Sequence, residues 1–270
     1  MMARTLRRAA ALLLLLPSWA AAGPFELGVA PSRFELAAKA GTRVGQSLTL
    51  QNVSDQSTDI AVRTLDWDMT PTGGITYREE LAPGSCRPWV ALERRRLTLG
   101  ARARGSYRFQ VDVPPDAPRG ECRFMIALEG AEPATTSRLG SGGAAVNLPV
   151  SGRIAIAVYI AVNGAQPRLE VQNLSTQSVN GRRLPTVTVT NTGDAHGRLD
   201  GALDATDARG QKFELVPDAS PLLAGQTRTL AFTARTNVPN QKLEEPAFPI
   251  KASGRLDWEN GSFKLEAEFQ

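Results

Sequence analysis

Cys86 and Cys122 are the only cysteines of this chain, and His196 is its only histidine. Two cysteines can close a disulfide or remain as two separate thiols, one or both of them buried. A disulfide between them would close a loop of about 36 residues, worth roughly 3–4 kcal/mol in the chain-entropy account. His196 has no second His or Cys nearby in sequence to complete a metal site, so it reads as a solvated residue of the turn 194–197. Serines and aspartates are present, but nothing resembles a nucleophile elbow or a triad order around that histidine. The carboxylate pairs Glu79-Glu80 and Glu244-Glu245 are adjacent, so on a strand their side chains would face opposite ways. Neither nucleophilic nor paired-acid catalysis is supported, and no cofactor or metal is expected. The densest cationic stretch is Arg94, Arg95 and Arg96 with Arg102, Arg104 and Arg108. On a strand these would be split between two faces, which describes a solvated, charge-protected edge better than the concentrated face that nucleic acid requires. Asn52, Asn173 and Asn260 fall in N-x-S patterns, and Trp67 and Trp89 read as sandwich-core residues.

The first residues set the compartment in which this chemistry would occur. Arg4, Arg7 and Arg8 precede an unbroken apolar run over residues 9–16, then Pro17, Ser18 and the small residues Ala20-Ala21-Ala22. This is the pattern of a secretory signal spanning residues 1–22. The apolar run is too short to cross a bilayer, which takes about 20 residues, and no later stretch is longer. The expectation is a protein in the periplasm with no transmembrane segment after signal cleavage. An oxidising compartment favours the Cys86–Cys122 disulfide over two free thiols. The formal charge of +4 includes the three leader arginines, and without them it is +1, so charge does not point to nucleic acid.

Short alternating runs fill the rest of the chain, and no segment holds a helical period. Strands are predicted over residues 25–36, 43–51, 59–68, 87–97, 106–113 and 121–129. They are separated by Gly, Pro, Asn and Asp clusters. Residues 131–143 read as a flexible Gly/Ser/Thr loop, and residues 144–162 as one very long strand ending at the turn Asn163-Gly164. Further strands are predicted over 168–173, 185–190, 197–205, 212–216, 227–234, 248–256 and 262–269.

One plan is used twice. LTLQN at 48–52 and VTVTN at 187–191 each end in Asn and a polar turn, and each is followed later by LTLG at 97–100 or LLAG at 222–225 and another strand-like run. The fold class expected is therefore all-β: two tandem immunoglobulin-like sandwiches, over residues 23–163 and 164–270, after the signal.

Residues 25–162 resemble the PapD-like periplasmic pilus-assembly chaperones. The likeness is carried by Ser32-Arg33-Phe34 in 28–36, by the strand and Asn turn at 48–57, by the passage PWVALERRRLTLG at 88–100, and by the loop and long strand leading to Ile160. The resemblance implies donor-strand complementation. The chaperone lends alternate apolar residues to a subunit that lacks a strand, which is β-augmentation in physical terms. By position the donors would be Val146, Leu148 and Val150. Arg33 matches one of the two basic residues with which the family anchors a client's C-terminal carboxylate. The family's lysine position holds Ala155, and Arg153, on the same strand face, is the expected stand-in. The partners implied are secreted pilin-like or surface subunits and an outer-membrane usher. The alternative is a non-enzymatic envelope or adhesion module of two such domains. The face presented by Val146, Leu148 and Val150 separates the two readings.

Overall fold

The computed structural model describes residues 25–130, 135–141, 144–150, 152–179, 181–236 and 243–270, with main chain alone for 135–150. The signal over residues 1–22 lies outside the described residues. The strands in chain order are β1 Leu27–Ala30, β2 Arg33–Ala38, β3 Arg43–Asn52, β4 Thr58–Met69, β5 Ile75–Arg78, β6 Val90–Leu92, β7 Arg96–Leu99, β8 Arg104–Asp112 and β9 Gly120–Gly130. They continue as β10 Thr135–Ser141, β11 Ala144–Val150, β12 Arg153–Val162, β13 Leu169–Val179, β14 Arg182–Asn191, β15 Asp200–Thr206, β16 Lys212–Pro217, β17 Thr227–Arg235, β18 Ile250–Trp258 and β19 Gly261–Phe269. A single 3-10 turn, Arg87–Trp89, is the one helical element among the described residues.

The first unit has two layers. One is ordered β1-β3-β8-β6 and the other β2-β12-β9-β4-β5, with β7 paired to β4. Inward residues at every second position, among them Leu48, Leu50, Tyr107, Phe124, Ile126 and Ile156, fill the space between the layers. Phe109 stands edge-on between Phe34 and Phe124 in that core. The second unit is one seven-strand path, β13-β14-β17-β16-β15-β18-β19, around Leu203, Leu215, Leu230, Phe232, Leu256 and Phe269. β17 serves both of its layers: Thr227–Ala231 pairs with β14, and Phe232–Arg235 pairs with β16.

The repeated Asn has the same work in both units. Nδ2 of buried Asn52 donates to the carbonyls of Gln56, Leu99 and Gly100, at 2.6, 3.2 and 3.0 Å. Nδ2 of buried Asn191 donates to the carbonyls of Ala195 and Leu222, at 2.8 and 2.9 Å. Each Asn thus ties its own turn to the Leu/Gly loop that recurs later in sequence, satisfying main-chain groups no ladder reaches. A glycan on the Asn52 amide is incompatible with that burial.

Several expected elements are divided. The run 25–36 breaks at Pro31 into β1 and β2, which lie in different layers. The run 87–97 becomes the 3-10 turn, β6 and β7, and crosses from one layer to the other. The expected loop 131–143 contains β10, which pairs antiparallel with β11 to form a separate two-stranded arm. The expected single strand 144–162 is two strands, β11 and β12. Between them, a Cβ on Gly152 would come within 2.5 Å of Phe25 Cβ, so only glycine fits there. Cys86 and Cys122 are bonded, with Cα atoms 5.8 Å apart.

Candidate functional site: the outer face of β2, β12, β9 and β4

β12 lies between β9, antiparallel over its whole length, and β2, parallel from Ala157 to Val162. β2 starts at Arg33, opposite Ala157. Arg153–Ile156 therefore has a strand on one side and, among the described residues, none on the other. β11 leads into this uncovered edge.

Ile154, Ile156, Val158 and Ile160 point into the sandwich core, while Ala155, Ala157 and Tyr159 point to the opposite, outer face. There they join Leu65, Trp67, Met69, Met125 and Ala127, and the cluster is closed by Leu223 of the second unit. Trp67 stands edge-on to Tyr159, with ring centroids 5.8 Å apart. Trp67 is thus a junction residue, whereas Trp89 packs beside the sandwich core.

Polar groups surround that junction. Arg119 Nε donates to Asp194 Oδ2 at 2.5 Å, and this bond, with the Gln166 N–H, holds the Asp194 carboxyl below its usual range. His196 is buried, stacked on Tyr159 with centroids 3.8 Å apart. Its Nδ1 and main-chain nitrogen are 2.5 and 2.8 Å from the same Glu121 oxygen. Arg198 reaches Glu35 at 3.3 Å and lies over the Tyr159 ring. Burial pushes the Tyr159 hydroxyl up. The lone histidine is therefore an interdomain contact, and the solvated-turn reading is corrected. Its turn is polar in sequence, but the contacts that bury it come from strands of the other unit.

At the uncovered end of β12 the outer face carries a four-membered ion network. Arg63 donates to Glu79 at 2.8 Å and to both oxygens of Glu129, at 3.0 and 3.2 Å. Arg153 pairs with Glu129 through its Nε and lies 3.7 Å from Glu79. The Arg63 bond holds the Glu79 carboxyl low. Burial opposes the charge of Glu129, yet Arg63 and Arg153 keep its carboxyl below the usual range.

The sequence-derived residues fall as follows. Arg33 and Arg153 share the outer face but lie in different networks: Arg33 donates to Glu35 at 2.7 Å. The residue opposite Arg33 is four positions from Arg153, about 13 Å along the strand. Val146, Leu148 and Val150 lie on β11, and their side chains are outside the described residues. Arg63 and Glu129 were not picked out from the sequence, and Glu79 was read there only as half of an adjacent carboxylate pair. Alternation on β4 and β9 places Arg63 and Glu129, and Glu79 follows directly on β5; only the folded arrangement beside β12 shows that they meet.

No family model and no curated protein matches the chain. Its fold is similar to that of solved proteins over most of its length. The YadV chaperone is 11% identical, with 90% of this chain and 99% of that chain covered, at a TM-score of 0.46. The match to the complex of SafA pilin with the SafB chaperone from Salmonella enterica has 12% identity, 92% and 99% coverage, and a TM-score of 0.46. The E. coli chaperone DraB is 14% identical, with 91% and 100% covered and a TM-score of 0.43. All three matches involve chaperones.

Proposed function

We propose that this chain is a periplasmic chaperone that caps pilin-like or surface subunits by lending them a strand. The observation that carries the reading is the uncovered edge of β12 at Arg153–Ile156, continuous with an arm, β10–β11, whose strands pair only with each other among the described residues. An exposed edge is an aggregation hazard that proteins ordinarily cover, so its retention at the end of an apolar strand calls for a partner. A subunit strand laid along β11 and the start of β12 would gain main-chain bonds there, and the alternate residues Val146, Leu148 and Val150 would fill its groove. The resemblance of residues 25–162 to pilus-assembly chaperones supports the same assignment.

Arg33 and Arg153 are the proposed carboxylate anchors. Both guanidiniums are partly exposed on the face beside this edge, and both already bind carboxylates, so a client terminus would exchange with Glu35 or Glu79.

Hydrogen exchange with and without a co-expressed subunit tests the reading. Amides of 144–156 should gain protection in the complex. Protection that appears elsewhere while 144–156 stays unchanged would defeat it.

A further inference from the structure

The seven-strand path of the second unit ends at β19. This strand pairs along its whole length with β18 and, among the described residues, with no other strand. β13, at the other end of the path, approaches β19 but pairs only with β14. β19 is nine residues long, Gly261–Phe269, and it alternates strictly. Phe263, Leu265 and Ala267 turn toward the core yet are only partly buried, whereas Phe269 at the strand's end is 2% exposed. Ser262, Lys264, Glu266 and Glu268 are exposed on the outer face. A long, free edge with an incompletely covered apolar row is a feature that proteins ordinarily shorten, bulge or hide.

The charges on this edge are not answered within the chain. On β18, Lys264 faces Arg255, and Arg255 is already bonded to Asp257 at 2.6 Å. Glu266 faces Ser253. Neither Lys264 nor Glu266 makes an ion pair among the described residues. The two flank Leu265, which is the middle residue of the strand. Lys264-Leu265-Glu266 is therefore its own charge complement when a second copy runs antiparallel to it about Leu265.

We propose that the chain forms a two-fold dimer through antiparallel pairing of β19 with β19 of a second copy, in the register that sets Leu265 opposite Leu265. Directly opposite residues share a face of the sheet. On the outer face this register places Lys264 of each copy across from Glu266 of the other, which makes two reciprocal ion pairs. Ser262 lies across from Glu268 and can donate to its carboxylate. On the core face Phe263 meets Ala267, a large ring against a small residue, and Leu265 meets Leu265, so the open apolar row is covered. Sliding one strand by two residues is the smallest move that keeps the faces. It sets Lys264 against Lys264 in one direction and Glu266 against Glu266 in the other, so charge selects the register. The contact is isologous and closes at two copies, which consumes both edges and leaves none from which a fibre could grow. It uses no residue of β10, β11 or β12, and it does not rest on the chaperone reading.

Sedimentation equilibrium of the chain over residues 23–270, across a range of concentrations, tests the pairing. The parent should approach twice the monomer mass as concentration rises. Glu266→Lys sets lysines against lysines in this register and should weaken the dimer about tenfold. Lys264→Glu sets carboxylates against carboxylates and should do the same. Both positions are exposed, so each variant should keep the parent's unfolding midpoint. Mixing the two variants should restore association as mixed dimers, because each then supplies the charge that the other lacks. A parent that stays monomeric throughout would overturn the proposal, and the charges of β19 would then only guard an edge. Single variants that associate as tightly as the parent, a mixture that does not recover, or assemblies that grow past two copies would overturn it equally.

Discussion

Nδ1 of His196 lies 2.5 Å from Oε2 of Glu121, and the two residues belong to different sandwiches. The same oxygen accepts the His196 main-chain N–H at 2.8 Å. Glu121 is almost wholly buried, with a side-chain exposure of 3%. Removing one partner from such a site leaves the other's polar groups without water or a bond. Glu121→Ala is expected to cost about 2 kcal/mol in urea unfolding. A cost within error of zero would show that the Glu121–His196 pair contributes nothing to holding the units, leaving that to Leu223 and its neighbours and to the Arg119–Asp194 and Arg198–Glu35 pairs.

Reduction of the Cys86–Cys122 bond frees a loop of 36 residues. The chain-entropy account assigns it about 4 kcal/mol. Cys86→Ser/Cys122→Ser should lower the free energy of unfolding by that order, and the unreduced, denatured parent should show no reactive thiol.

Gly73 sits at φ +88, and a Cβ there would come within 2.7 Å of Arg228 Nη2. That guanidinium has little room to give way. It is buried, donates to the Pro221 carbonyl at 2.7 Å, and lies 3.0 Å from Met69 Sδ. Gly73→Ala should therefore cost about 2 kcal/mol or more, adding backbone strain to displacement of the arginine. Gly84→Ala, with a similar φ of +74 but open space around its Cβ, should cost less.

Acid should destabilise the fold. Asp194 is held low first by Arg119, Glu79 by Arg63, and Asp112 by Arg43. A carboxyl with a lowered folded-state pKa binds fewer protons folded than unfolded. Its contribution is complete above the ordinary carboxylate range of about 4 to 4.5 and is lost as pH falls through the folded value. Unfolding free energy should be flat down to about pH 5 with respect to these groups and then fall. A rise between about pH 4 and pH 3 would contradict this sign.

Leu148→Glu places a charge in the middle of β11. Among the described residues that strand pairs only with β10, so the change should leave the unfolding midpoint of the chain alone while subunit capture in co-expression is lost. Loss of the fold instead would make Leu148 a structural residue.

The sequence made the repeated plan readable because Asn52 and Asn191 do local work that their neighbours announce: a strand before, a turn after and a Leu/Gly loop to bind. It also made Cys86–Cys122 readable, through the compartment. Layer changes were less legible. Val90 and Leu97 look like members of one strand, and only their pairing with β8 and β4 separates them. The need for glycine at 152 comes from Phe25, far away in sequence. His196 looked exposed for the same reason: the Tyr159 and Glu121 that bury it are supplied by another unit. Arg63, Glu79 and Glu129 converge from different segments, so no spacing rule could have grouped them.

β17 passes from one layer of the second sandwich to the other without a break, bonding β14 with its first half and β16 with its second. The two layers therefore cannot peel apart as separate sheets, because any opening between them must tear a single continuous strand away from one of its partners. A pull applied to either layer is carried through peptide bonds into the other. The second unit should consequently yield as one body, while the first unit, whose layer changes at Pro31 and between β6 and β7 run through short links, has places at which one layer can loosen ahead of the other.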